Sequence, residues 1–177
     1  MPRIRVTETV SGKSIELTNR LYAELAKGDE STAALQQPYI LEQEIGPKRF
    51  LHVVVFWNDW AGVPEEHRGA IIMDAYEKFD RALSERITLA LGVTLPEAES
   101  LGLLPFQIQP LVRASDNADM SKVRDLMLKH GGYQIGHLVR LRLPTRQLAD
   151  KTFHVLEEEY PLAHWALAEE TAMASGT

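Results

Sequence analysis

The sequence predicts an α+β protein with a mixed or antiparallel sheet of about five to six strands and helices packed mainly on one face. Three observations support this class: segments of alternating apolar residues, segments with apolar residues three or four apart, and a Gly-Pro turn that joins two strands directly. With 177 residues, 45% hydrophobic and 25% charged, the chain is long enough for one substantial core. We therefore predict one domain over residues 1–170, with a candidate boundary near 102–105, and a frayed tail over 171–177.

The first elements follow from periodicity and turn chemistry. Residues 3–10 alternate between apolar and polar and indicate an edge strand. Leucines four residues apart predict a helix from Ser14 that ends at Gly28. Strands at 39–45 and 49–57 flank a turn at 46–48, so we expect an antiparallel hairpin. The second of these strands is apolar on both faces and is expected at the centre of its sheet.

A helix is expected to follow Pro64, since proline is favoured in a first helical turn. Its predicted buried stripe consists of Ile72, Tyr76, Phe79 and Leu83. Residues 86–91 fit a strand and a helix equally well. A capping-box pattern that begins at Thr94 predicts a short helix to Leu101.

The second half of the chain repeats the order strand–helix. A strand is predicted over 106–113, with Pro110 favouring an edge position. Asp119 is expected to cap the helix that follows it. A second strand over 136–143 and a second helix after Pro144 complete the pattern.

Composition excludes several classes of function. The 25 acidic residues exceed the 19 basic ones, and a net charge of −6 disfavours general nucleic-acid binding. The chain has no cysteine, which excludes disulfides, zinc–thiolate sites and cysteine nucleophiles. The first residues do not form an apolar segment of signal-peptide length, and no apolar run approaches the roughly 20 residues of a membrane span. We therefore expect a cytoplasmic protein that does not enter a membrane.

The junction VVVFWNDWAGVPEEHR, residues 53–68, contains the first candidate site. Asp59 and Trp60 follow the C-terminal end of a central strand, where loops often bind ligands. Asp59 would act as a base or ligand, and the aromatic ring would provide a stacking surface. The alternative is that Asn-Asp forms a turn and the tryptophans close the core, as we expect for Trp57.

The segment HLVRLRLPTR contains the second candidate site. Alternation places Arg140 and Arg142 on one face of a strand, with Arg146 and Arg113 nearby in the predicted fold. Paired guanidinium groups are suited to phosphate or carboxylate, so these residues predict an anion site. Alternatively, the arginines belong to an exposed sheet face and prevent edge pairing.

We expect no metal, no cofactor and no catalytic residue. His154 and Glu157 share a helix face, but matching ligands on other helices are missing from the sequence. No phosphate-binding loop, dinucleotide fingerprint, nucleophile elbow or zinc-protease motif is present. A helix-turn-helix pattern over 86–104 would present Glu97 and Glu99 to the DNA backbone, which argues against DNA binding.

Residues 50–99 resemble the BolA family of small α+β proteins. FLHVVVFWNDW matches the family's hydrophobic strand and turn, and Gly62 and Arg68 keep its glycine-to-arginine spacing. The resemblance implies a KH-like layered sheet and an adaptor or regulatory role. The family's metal-ligand histidine is replaced here by Glu85-Arg86, which argues against a metal cluster shared with a glutaredoxin.

Two functions follow from these patterns. The first is a non-enzymatic binding, adaptor or regulatory module that acts through a protein partner or through self-association as a homodimer. The second is a protein that binds a small phosphate- or carboxylate-bearing ligand, or an enzyme, and uses the Asp59 loop and the face with Arg140 and Arg142. The lack of catalytic motifs favours the first.

Overall fold

The strands and helices form two compact units, as seen in a computed structural model of the chain. The structure describes residues 12–28, 34–112 and 117–170. Of these, the first unit comprises 12–28, 40–55 and 59–92, and the second comprises 34–39, 56–58, 93–112 and 117–170. The predicted strand over 3–10 and the predicted tail over 171–177 lie outside the described residues. The single domain over 1–170 stays a prediction.

The α+β class is confirmed, but the predicted arrangement of strands is not matched. The seven described strands form a three-stranded and a four-stranded sheet, where the sequence predicted one sheet of about five to six. Part of the difference arises because two strands of the second sheet, with three and five residues, are too short to be recognised from alternation.

The first unit contributes most of the three-stranded sheet, whose order is β1-β2-β3. The elements of this region are α1 (Gly12–Lys27), β1 (Tyr39–Ile45), β2 (Phe50–Phe56), α2 (Glu65–Phe79), α3 (Arg81–Ser84) and β3 (Ile87–Val93). The predicted central position of β2 is confirmed. The ambiguous segment 86–91 falls almost entirely within β3 and is a strand.

This sheet is mixed, as its backbone hydrogen bonds show. The N–H of Leu51 donates to the Arg86 carbonyl at 2.8 Å, and the N–H of Trp57 donates to the Val93 carbonyl at 2.9 Å. The residue numbers of β2 and of its partners in β3 increase together, so the two strands are parallel. Helices α2 and α3 lie in the connection between them. The tight turn between β1 and β2 contains Gly46 at φ +70°, a conformation that glycine adopts without strain.

Helix α2 departs from its predicted buried stripe near its C-terminal end. Ile72 and Tyr76 are buried as expected, but Phe79 is exposed. The helix ends at Phe79, and the Asp80 side chain then accepts a hydrogen bond from the N–H of Leu83 to begin α3. The extended backbone at Asp80 interrupts the helix and ends the 3.6-residue periodicity on which the prediction depended.

The second unit contains the four-stranded sheet, in the order β5-β6-β4-β7. Its elements are α4 (Leu95–Ser100), β4 (Phe106–Pro110), α5 (Met120–Lys129), β5 (Tyr133–Ile135), β6 (Leu138–Leu143), α6 (Arg146–Glu159) and β7 (Trp165–Glu169). All three pairs of neighbouring strands are antiparallel. From β4 onward, the chain order β-α-β-β-α-β and this sheet order give a ferredoxin-like arrangement.

The expected edge position of the strand with Pro110 is wrong, because β4 lies between β6 and β7. Pro110 is tolerated there because it is the last residue of the strand, so the hydrogen bond that its missing N–H cannot form is lost from the end of the strand and not from its middle. The next residue restores the pairing, since the N–H of Leu111 donates to the Ala163 carbonyl at 3.0 Å.

The register of the second sheet separates its two faces. Phe106 pairs with Leu143 and Ile108 pairs with Leu141, which places these apolar side chains on one buried face. Gln107 pairs with Arg142 on the opposite face. None of the described helices is long and apolar enough to cross a membrane.

Candidate functional site

Asp59 and Trp60 are adjacent in a short 3-10 turn, Asn58–Trp60, but they face different environments. The Asp59 carboxylate is about half exposed and forms an ion pair with Arg20 of α1. Trp60 is fully buried, and its indole Nε1–H donates to the Val55 carbonyl at 3.0 Å. The Asp59 side chain is therefore at the surface, whereas the Trp60 ring belongs to the core.

The turn packs tightly against the end of β3. A Cβ atom at Gly92 would lie 2.8 Å from Cε2 of Trp60 and 2.9 Å from Cβ of Arg68. The buried Arg68 side chain donates from Nε to the Val63 carbonyl at 2.8 Å and from a terminal nitrogen to the Gly92 carbonyl at 3.1 Å. These contacts connect the turn, the start of α2 and the end of β3 in one packed junction.

Arg140 and Arg142 lie on the same face of β6, as the alternation predicted, and both are paired with carboxylates. Arg140 donates to Glu99 at 2.5 Å. Arg142 donates from both terminal nitrogens to Glu170, at 2.6 and 2.7 Å, in a bidentate arrangement. Arg142 also donates to the side-chain oxygen of Gln107 at 3.1 Å. Neither guanidinium is an unoccupied anion site in this structure.

Glu99 of α4 connects the two arginines to a buried phenol. The Tyr133 hydroxyl donates to one Glu99 oxygen at 2.7 Å. The other oxygen accepts from Arg140 and lies 3.7 Å from Nε of Arg142. We refer to Glu99, Tyr133, Arg140, Arg142 and Glu170 as the arginine–glutamate cluster; its two positive charges are matched by two carboxylates.

The electrostatics of the cluster favour a charged Glu170 and a neutral Tyr133. The hydrogen bond from Arg142 lowers the pKa of Glu170, and the same contact raises the pKa of Arg142. Burial, followed by the hydrogen bond to Glu99, raises the pKa of Tyr133 far above its ordinary value. At neutral pH the cluster is therefore a set of ion pairs with a protonated tyrosine that acts as a hydrogen-bond donor.

A second polar group lies between the ends of α5 and α6. A ring nitrogen of the buried His130 is 3.2 Å from Glu159, and Lys129 donates to the same carboxylate at 3.0 Å. The lysine contact, followed by the histidine contact, lowers the pKa of Glu159. Among residues 12–28, 34–112 and 117–170, no group of three or more metal-ligating side chains is placed to hold an ion. On α6, Nδ1 of His154 lies 3.7 Å from a carboxylate oxygen of Glu157, and both side chains are exposed.

The structure brings two of the four predicted site residues, Arg140 and Arg142, into one cluster in the second unit. Asp59 and Trp60 lie in the first unit, and Arg113 lies outside the described residues. Sequence reasoning missed Glu99 and Glu170 as partners, because these ion pairs join residues 41 and 28 positions apart and carry no local spacing signal. No protein-family model, curated protein or solved structure matches this chain.

Proposed function

We propose that this protein is a non-enzymatic binding or adaptor module that acts through protein–protein contacts at one end of the four-stranded sheet. The observation that carries the proposal is a group of large apolar side chains that are 38 to 62% exposed. These residues, which we call the apolar end, are Leu111, Ile135, Leu138 and Leu162. Contiguous apolar surface on a folded protein is typical of an interaction site.

The strand register supports placing these residues at one end of the sheet. Leu111 follows the last residue of β4, and its N–H donates to Ala163, in the same turn as Leu162. Strand β6 is antiparallel to β4, so its first residue, Leu138, lies at the end where β4 finishes. Ile135 pairs with Leu138 across the hairpin. Three connections therefore present apolar side chains at the same end.

The energetics favour a contact here over continued exposure. Full burial of a leucine side chain contributes about 1.5–3 kcal/mol, and roughly half of this remains to be gained at sites that are half exposed. Four such side chains would supply several kcal/mol to an interface, in the range needed to offset part of the cost of association. We propose a partner with an apolar contact surface, and a second copy of this chain is the first to test.

The test compares a double variant, which combines Leu138→Ser and Leu162→Ser, with a control variant, Leu101→Ser. Leu101 is as exposed as Leu138, but it follows α4 and precedes the start of β4. Sedimentation velocity over a wide concentration range should show self-association in the wild type and the control, and its loss in the double variant. A photocrosslinker at 138 should join two copies of the chain more efficiently than one at 101.

The proposal fails if the wild type stays monomeric and the crosslinker at 138 captures no more protein than the one at 101. It also fails if the wild type, the control and the double variant associate equally. The three proteins should have the same circular dichroism spectrum, because serine at an exposed site leaves the core unchanged.

The resemblance of residues 50–99 to the BolA family is part of the same proposal. It is supported by the order β2-α2-α3-β3 around a three-stranded sheet and by Arg68, which reaches the carbonyl of Gly92 on β3. Such a relationship would favour an adaptor or regulatory role in the cytoplasm. Fold similarity alone carries little information about activity, so the apolar end remains the main argument.

A further inference from the structure

We propose that Arg142 is a carboxylate-recognition site in which Glu170 is an exchangeable occupant, and that the ligand is a carboxylate carried by a polypeptide. This inference does not depend on the apolar end. It would make the arginine–glutamate cluster a binding site that the chain closes with its own side chain until a partner replaces it.

The site is built before any ligand arrives. The Arg142 side chain is 8% exposed, and it is held between Gln107 of β4 and Glu99 of α4. Glu99 is in turn fixed by Tyr133 and Arg140. A guanidinium oriented by two neighbours, Gln107 and Glu99, recognises a carboxylate at little entropic cost, because its geometry is already set.

Glu170 has the properties of an occupant that can leave. Its side chain is 60% exposed, whereas its backbone N–H is bonded to the Pro105 carbonyl at 2.8 Å. Rotation of the side chain would therefore release Arg142 while the backbone contact with Pro105 stays in place. An exposed carboxylate gains little from such a pair, but the buried Arg142 is strongly disfavoured without one. Release of Glu170 therefore favours the binding of another carboxylate to Arg142.

A buried donor that Glu170 leaves unsatisfied also points to exchange. Glu170 binds the guanidinium end-on through its two terminal nitrogens. Nε of Arg142 is buried and has no hydrogen-bond partner among the described residues; Glu99, at 3.7 Å, is too far away. A carboxylate that is not tethered to the end of β7 would allow the small shift that brings Nε within hydrogen-bond distance of Glu99, with the orientation of the guanidinium unchanged.

Charge and exposure define the class of ligand. Arg140 is already matched by Glu99, so replacement of Glu170 by one carboxylate keeps the cluster neutral, whereas a dianionic phosphate would add a negative charge. A small free carboxylate would remain largely in water, as Glu170 does, and would compete poorly with a tethered group. A polypeptide adds contacts, because β7 is at the edge of the described sheet, where an extended chain pairs as a further strand.

The first experiment measures binding at Arg142 by NMR of its ¹⁵N-labelled Nε–H group, with acetate as the charged probe and acetamide as the neutral one. In Glu170→Gln, acetate should bind at least tenfold more tightly than in the wild type, and acetamide should have no effect. Arg142→Gln removes this probe, so in the double variant Glu170→Gln/Arg142→Gln the backbone amide signals of β6 are followed instead, and acetate should no longer shift them. Equal affinities in the wild type and Glu170→Gln, or equal effects of acetate and acetamide, would overturn the site.

The second experiment identifies the source of the carboxylate. A blocked, extended hexapeptide with one glutamate should bind Glu170→Gln at least tenfold more tightly than acetate, and the same peptide with glutamine should not. If the two peptides bind equally, or neither binds more tightly than acetate, the polypeptide ligand is ruled out. Should Glu170→Gln fail to fold, Glu170→Asp, which keeps the charge and shortens the reach, should show the same increase in affinity.

Discussion

Gly92 occupies a position in β3 where any larger residue should destabilise the protein. An alanine Cβ would lie 2.8 Å from Trp60 Cε2 and 2.9 Å from Arg68 Cβ. Carbon atoms in favourable contact are about 3.5–4.0 Å apart, so the indole or the arginine stem must move by roughly 1 Å. Both side chains are buried and hydrogen-bonded, and neither is the free end of a flexible surface group.

The expected cost is a loss of about 2–4 kcal/mol in the free energy of unfolding. Overpacking of a well-packed core costs about 1–3 kcal/mol. Displacement of the indole would also weaken its hydrogen bond to the Val55 carbonyl, and a bond of this kind contributes about 1 kcal/mol. Both effects act through the Trp60 ring and are not independent, so the total loss is at most their sum.

Urea denaturation of Gly92→Ala measures this loss. Gly12→Ala is the control, because a Cβ at Gly12 meets no atom within 4 Å. It should change stability by no more than about 0.5 kcal/mol. A double-mutant cycle with Trp60→Phe should give a coupling energy of roughly 0.5–3 kcal/mol, since the smaller ring leaves space for the methyl group. If Gly92→Ala is as stable as the control, or the cycle shows no coupling, the packing argument is refuted.

The remaining predictions concern burial and pH. Trp57→Ala should lose about 3–5 kcal/mol in a denaturant titration, because Trp57 is buried as the sequence predicted; a loss below 1 kcal/mol would contradict its core position. The pKa of Glu170 is lowered in the folded protein, so the contribution of this group to stability is present above about pH 4.5 and is lost as the pH falls through the folded pKa. Glu170→Gln should therefore flatten the acidic part of the curve of stability against pH. Burial raises the pKa values of Tyr76 and Tyr133, so stability should fall as the pH rises above about 10, and absorbance at alkaline pH should show that these two phenols ionise only on unfolding. In Tyr76→Phe and Tyr133→Phe this alkaline loss should be smaller, and an unchanged curve would contradict the assignment.

Local signals in the sequence were sufficient for many elements. The capping box at Thr94 and the cap at Asp119 form the hydrogen bonds expected of them. The hairpin of β1 and β2 and the central position of β2 followed from turn chemistry and two-sided hydrophobicity. These features depend on residues a few positions apart, which is the range over which capping and alternation operate.

The errors came from features that depend on distant residues. The three-residue strand β5 and the strand β7 are stabilised by pairing with β6 and β4, so their short sequences hold no independent signal. The central position of Pro110 could not be read from a rule about single residues, because it depends on where the chain returns at Ala163.

The candidate site was predicted only in part for the same reason. Alternation correctly placed Arg140 and Arg142 on one face of a strand, but it could not reveal that Glu99 and Glu170 reach them from elsewhere in the chain. At Trp60, the sequence allowed a ligand-binding ring and a core residue, and the indole is buried. The sequence therefore predicts the positions of charged side chains better than their partners.

The sheet order of the second unit has a consequence during synthesis on the ribosome. Strand β4 is the first strand of this sheet to emerge, yet both of its neighbours, β6 and β7, are made later, and β7 follows α6. Both edges of β4 lack their native partners until β6 is made, and the other edge stays open until β7 is made; long-range pairing of this kind also forms slowly. A nascent chain that stalls before Trp165 would leave one edge of the Phe106–Pro110 strand unpaired, and unpaired edges of this kind promote aggregation and chaperone binding.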